Sequence, residues 1–162
     1  MRYIAIFLIL SSCTVPLSYS ANLQPVESAR GMIGLHENSH RQELKAFMGV
    51  DPVYYEWCAA FVNAVLNLHD IPGSESVSDY PLVARSFLKW GKPVKEPQKG
   101  DLVVFPRGNQ GWQGHVGFYM ATVQIEGVDH YIILGGNQDD TVSYEYFRAS
   151  TAIGIRRYVH PQ

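Results

Sequence analysis

The chain has 162 residues, enough for one domain with a proper core and too few for a second domain of ordinary size. Hydrophobic residues make up 46% and charged residues 17%, and ten Tyr and three Trp help bring the aromatic share to 12%, a globular composition that excludes wholesale disorder. Net charge is -2 with His neutral and no basic run occurs, so nothing supplies the phosphate contacts that nucleic-acid binding needs.

At the N-terminus, Arg2 precedes the apolar run YIAIFLIL (3–10), too short to span a bilayer and the length of a signal peptide's apolar region. Residues 1–20 are therefore expected to be a signal peptide, and 23–162 a single exported domain. The stretch LSSC (10–13) resembles the lipobox of bacterial lipoproteins, in which the cysteine is lipidated. Cys13 is then a candidate membrane anchor, and the protein a periplasmic or cell-envelope lipoprotein. Cleavage in SYSAN, after Ser20, would instead release a secreted protein. Either route leaves Cys58 without an internal partner, as a buried filler, an intermolecular bridge or a reactive thiol.

Downstream, LQPVESARGMIG (23–34) predicts a helix, with Pro25 in its first turn, apolar residues three and four apart, and Gly34 as its stop. LHENSH (35–40) follows and contains His-Glu-x-x-His. On a firm helix, His36 and His40 would project from one face as zinc ligands, with Glu37 as general base. Gly34 lies close by, Asn38 and Ser39 are indifferent helix formers, and the extended form of the motif fails at Glu43 and Ala46. RQELKAFMGV (41–50) predicts a short helix, WCAAFVNAVLNL (57–68) the clearest one, and YPLVARSFLKWG (80–91) another.

Beyond residue 100 the period changes to alternation. DLVVF (101–105), HVGFYMATVQI (115–125), HYIILGG (130–136), TVSYEYF (141–147) and AIGIRRYV (152–159) predict strands of an antiparallel sheet. Helices first and strands afterwards predict an α+β domain with the helices on one face of the sheet. The Gly-rich loop PRGNQGWQG (106–114) leads straight into His115 at a strand's mouth.

Cys58 begins a predicted helix, where backbone N–H groups and the helix dipole favour thiolate. His115 is the candidate base, and Asn137, ending the next strand, the candidate group that orients the imidazole. Glu56 is expected to face outward, because an inward carboxylate would oppose thiolate formation.

With EWCAAFVNAVL, GDLVVFPRGNQGWQGHVGFYM and LGGNQDDTVSYEYF in this order, the chain resembles the NlpC/P60 and CHAP superfamily of papain-like cysteine peptidases and amidases, above all its phage-associated and secreted members. The resemblance covers most of the chain after residue 25. It implies a papain-like α+β fold with N-terminal helices packed on an antiparallel sheet, and hydrolysis of peptidoglycan amide bonds. It carries over Cys58 as nucleophile, His115 as base and Asn137 as the orienting group, with no metal or organic cofactor. Backbone N–H of Cys58 is the expected oxyanion donor, with Tyr54 and Tyr55 close in sequence. A Glu matching Glu37 often occurs in the resembled family. The protein is expected to act as a monomer on peptidoglycan, with membrane attachment through Cys13. Two rivals are a non-catalytic, lipid-anchored wall-binding module of the same fold and a zinc peptidase using His36, Glu37 and His40.

Trp57, Trp112, Tyr119, Tyr144 and Tyr146 could line a groove for glycan or peptide, and core packing explains at least half of them equally well. His69, His130 and His160 read as surface residues. Arg156 and Arg157 read as a solvated strand edge, or, less readily, as a contact for a substrate carboxylate.

Overall fold

The computed structural model describes the backbone of residues 17–159 and the side chains from residue 24 onward; Cys13, most of the expected signal segment and His160 lie outside it. Helix α1 (Leu17–Arg30) starts upstream of the expected residue 23 and takes Pro25 into its interior. It ends before Gly34 because that segment is drawn onto the sheet: Gly34 N–H donates to Val142 O, and Val142 N–H to Leu35 O. Helix α2 (Arg41–Met48) stops at Gly49, whose φ of 74° lets its N–H close back on Lys45 O. Helix α3 (Cys58–Asn67) is buried along most of its length, as its apolar sequence requires. No helix among the described residues is long and apolar enough to cross a membrane.

The expected helix over 80–91 is a 3₁₀ segment, Ala84–Lys89. Side chains claim the carbonyls that would have started an α-helix: Ser86 Oγ donates to Tyr80 O at 2.7 Å, and Asn63 Nδ2 and Ser74 Oγ donate to Pro81 O at 2.9 and 3.1 Å.

Six strands follow: β1 (Lys92–Pro93), β2 (Leu102–Pro106), β3 (Gly114–Ile125), β4 (Val128–Gln138), β5 (Thr141–Arg148) and β6 (Gly154–Arg157). They form one antiparallel sheet in the order β1-β6-β2-β3-β4-β5. Both long hairpins close through two residues with positive φ, Glu126-Gly127 and Asp139-Asp140, as twisted strands demand.

Alternation along β2 and β3 builds two cores. Leu102, Val104, Val116 and Phe118 meet α1, α2 and α3, whereas Val103, Phe105 and Tyr119 face the other way with Ile133. Phe105 on β2 stacks on Phe147 on β5 with centroids 4.4 Å apart. Three strand spacings would separate these strands by about 14 Å in a flat sheet. The sheet therefore curls, and its second face closes on itself. Helices against an antiparallel sheet make this the α+β, papain-like arrangement expected from the sequence.

Arg157, read from sequence as a solvated or substrate-facing residue, is a structural one. Its Nε and Nη2 donate to the two oxygens of buried Asp101 at 2.8 and 2.7 Å, fastening β6 to the start of β2. Arg157→Ala would strand that carboxylate, so it is expected to cost about 3 kcal/mol in denaturant unfolding. A loss within experimental error would show that the pair carries no net stability.

Candidate active site

The start of α3 is seated by a tryptophan. Trp57 is fully buried, packs its edge against Phe61, and donates through Nε1–H to Glu37 Oε2 at 3.1 Å. Gly136 on β4 makes room for it: a Cβ there would lie 2.4 Å from the indole. Trp57 gives the helix no side-chain cap, and the next residue is Cys58. Backbone N–H groups of Val116 and Ala59 lie close enough to the Cys58 sulfur to stabilise its thiolate, which sets the helix start beside the residue after His115.

The same contacts explain HENSH. Residues 37–40 form turns, and α2 begins only at Arg41, so the single helical face that zinc binding required does not exist. His36 Nδ1 accepts from Asn38 N–H, and His40 Nδ1 accepts from His36 N–H, both at 3.1 Å. Among the described residues no group of three or more His, Cys, Asp or Glu is arranged to hold a metal. Glu37, expected as a general base in the zinc reading, instead anchors Trp57.

His115 lies buried near the start of β3, its ring stacked on Phe147 with centroids 5.2 Å apart. Its Nε2 meets Gln138 Oε1 at 2.9 Å. The Gln138 amide is held in one orientation, because its Nε2 donates to Ser143 O at 2.6 Å. The oxygen therefore faces the ring, and the imidazole must carry its proton on Nε2. Nδ1 is left with a lone pair; it is buried and has no hydrogen-bond partner.

Gln138 stands where the sequence placed Asn137. Strand pairing is irregular between Gly135 and Gln138, and Asn137 has a φ of 58°. That bulge turns the Asn137 side chain out to Glu56, its Nδ2 donating at 2.6 Å, and sends Gln138 inward. Gly135 is needed for the inward contact, since a Cβ there would sit 2.9 Å from Gln138 Oε1 and 3.4 Å from His115 Nε2. The orienting contact to the imidazole is thus made by Gln138 and not by Asn137. The only signal for it in the sequence was a second amide beside the first.

A cleft of about 350 Å³ opens beside the sulfur, lined by Glu56, Cys58, Arg107, Trp112, Asn137 and Asp140 among others. Glu56 is exposed yet not free: it meets Arg107 Nη1 at 3.6 Å as well as Asn137. Arg107 also donates to Asn137 O at 3.1 Å, so it bridges the Gly-rich loop and β4. Arg107 was not anticipated from the sequence. Trp112 is exposed in the cleft, whereas Trp57 and Tyr119 are core residues and Tyr144 and Tyr146 line a separate cavity with Arg30 and Lys99. Tyr54 and Tyr55 are exposed, and Tyr54 lies under the Arg41 guanidinium.

Burial dominates the electrostatics. It pushes the Cys58 thiol up, opposed by the Val116 N–H, the Arg107 charge and the Ala59 N–H. It lowers the His115 imidazole to about 4, with Gln138 opposing and Arg107 reinforcing the shift. The helix start does not win against desolvation, so at neutral pH the resting pair is thiol and neutral imidazole.

A thiol at a helix start and an oriented, buried imidazole on the adjoining sheet define a site suited to nucleophilic chemistry. The CHAP domain model matches residues 50–137, more than half of the chain, and the chain belongs to that family. CHAP domains are generally hydrolases acting on peptidoglycan. The match contains Cys58, His115 and Asn137 and stops one residue short of Gln138. No curated protein matches the chain.

The lowered His115 value also bears on stability. Between pH 6.5 and 4 the unfolded chain takes up a proton at this histidine that the folded chain refuses, so folding weakens as pH falls. This site alone is expected to remove about 3 kcal/mol across that window. His115→Asn should flatten the corresponding slope in denaturant unfolding followed against pH, and an unchanged slope would refute the assignment.

Proposed function

We propose that the protein is a cysteine hydrolase that cuts amide bonds of peptidoglycan through an acyl-enzyme, with Cys58 as nucleophile, His115 as base and Gln138 as positioning residue. One observation carries this reading: Gln138 fixes the imidazole proton on Nε2, leaving a buried, unpartnered Nδ1 on the residue whose successor's N–H touches the Cys58 sulfur.

In this reading the sulfur attacks the amide carbon while the thiol proton moves to Nδ1. Negative charge on the carbonyl oxygen is met by backbone N–H at the start of α3. The imidazolium then protonates the leaving nitrogen, the C–N bond breaks and a thioester remains. Water attacks the thioester, its proton passes to Nδ1, and the acid is released as the thiol is restored. Gln138 accepts throughout from Nε2–H, and the positive ring is sheltered from rotation by its stack on Phe147.

The bond cut lies within the stem peptide or between peptide and sugar. The apolar run at 3–10 and the LSSC stretch support an exported protein held at the cell envelope through Cys13.

Release of soluble fragments from purified peptidoglycan tests the reading. Cys58→Ala is expected to lower the rate by roughly 10⁴-fold, and iodoacetamide to abolish it while EDTA leaves it intact. Activity surviving Cys58→Ala would sink the mechanism, and wall binding without turnover by the wild type would leave a binding module. Gln138→Ala should cost at least about tenfold more in kcat/KM than Asn137→Ala. The reverse order would return the orienting role to Asn137. Because neutral imidazole is the active form, the acid limb of kcat/KM should fall near pH 4, well below that of free imidazole. A limb at 6.5 or above would mean that His115 is not the base.

A further inference from the structure

Trp112 and Val83 also wall a second cavity of about 490 Å³, lined besides by Ser78, Tyr80, Arg85, Ser86 and Lys89. Resting on the hydrolase reading above, we propose that this second cavity is a sugar subsite, which holds a pyranose ring of the glycan strand while the attached peptide enters the Cys58 cleft.

Three observations point to a ring of this chemistry. First, two large aromatics stand open to solvent at the cavity, Tyr80 at 73% and Trp112 at 63% exposure. A soluble domain gains nothing from leaving both uncovered, whereas the C–H face of a pyranose matches an aromatic face and its hydroxyl rim stays wet.

Second, the platform is built in advance. Gln113 Oε1 accepts N–H from Asn109 and Gln110 at 3.0 Å each, and Arg85 Nε donates to Gln113 O at 2.7 Å, so the Gly-rich loop that carries Trp112 is braced both internally and against the 3₁₀ segment. A Cβ at Gly108 would strike the Gln113 amide, so the brace depends on glycine there, where φ is +64°. An exposed aromatic on a braced loop loses little freedom when a ligand arrives.

Third, the lining holds hydroxyls and the two cations Arg85 and Lys89, and no carboxylate. That set suits a neutral N-acetylated sugar or one bearing an acid. The catalytic cleft differs, with Glu56 and Asp140 beside Arg107, which fits the mixed charges of a peptide. Two cavities that share Val83 and Trp112 as a wall, one suited to an uncharged or anionic ring and the other to mixed charges, match a polymer whose sugar and peptide are joined at a branch point.

The test compares kcat/KM on three soluble substrates: a peptidoglycan disaccharide-tetrapeptide, the same tetrapeptide without sugar, and two such tetrapeptides crosslinked without sugar. The wild type is expected to favour the disaccharide form over the bare peptide by about tenfold, mostly through KM, and Tyr80→Ala to bring that ratio close to one. Equal rates on the sugar-bearing and bare peptides would overturn the subsite, as would a gain from the crosslinked peptide that matches the gain from sugar. Binding of the disaccharide-tetrapeptide and bare tetrapeptide to Cys58→Ala, measured by calorimetry, separates this proposal from the hydrolase reading. Sugar-dependent affinity that Tyr80→Ala removes would uphold the subsite even if no substrate turned over, and affinity indifferent to the sugar would remove it.

Discussion

The contact between Trp57 and Gly136 sets the register between helix and sheet, and the site follows from it. An indole is a large rigid body, and buried against bare backbone it leaves α3 one depth at which to meet β4. Glu37 holds the indole from the other side by its only polar atom, so rotation is blocked as well as translation. Cys58, one residue on, inherits a position fixed by the packing of its neighbour. The sulfur is a passenger on a well-anchored helix, which suits a group that must change bonding partners during a reaction.

A second constraint is the bulge at Gly136 and Asn137. Side chains alternate across a strand, so one irregular step reverses which residue faces in. Here the step is accommodated by the positive φ of Asn137, and it sends one amide to the imidazole and its neighbour to the cleft wall. Adjacent residues thus serve different sides of one wall, linked through Arg107 and Glu56 to the Gly-rich loop.

Much of this was legible in the sequence where one-dimensional pattern controls structure. The helix starting at Cys58, the long strands and His115 at a strand's mouth all follow from periodicity and turn residues, because local pattern and burial agree there. Failures occurred where a side chain overrode the backbone's preference. Ser86, Asn63 and Ser74 took carbonyls from a helix that the apolar spacing at 80–91 suggested. The bulge moved the imidazole's partner from Asn137 to Gln138, and no periodicity reports a bulge. His-Glu-x-x-His misled in the opposite sense: its spacing has chemical meaning only on a helix, and the segment's glycine, asparagine and serine make turns. Thiolate at the helix start failed as an expectation because the dipole is a surface-scale effect and the sulfur is buried.

The curl of the sheet places Phe147 under His115, and Phe147 belongs to β5, an outer strand. Thr141 and Val142 at its beginning are covered by the segment after α1, whereas Phe147 lies near its far end, past that cover. Outer strands open at lower free energy than central ones, with no need for the whole domain to come apart. The ring that backs the imidazole therefore rides on one of the more readily frayed parts of the sheet. Warming should loosen the geometry of the site before it melts the core, and tightening the outer strand at a distance from the cleft is a route to a more heat-tolerant site.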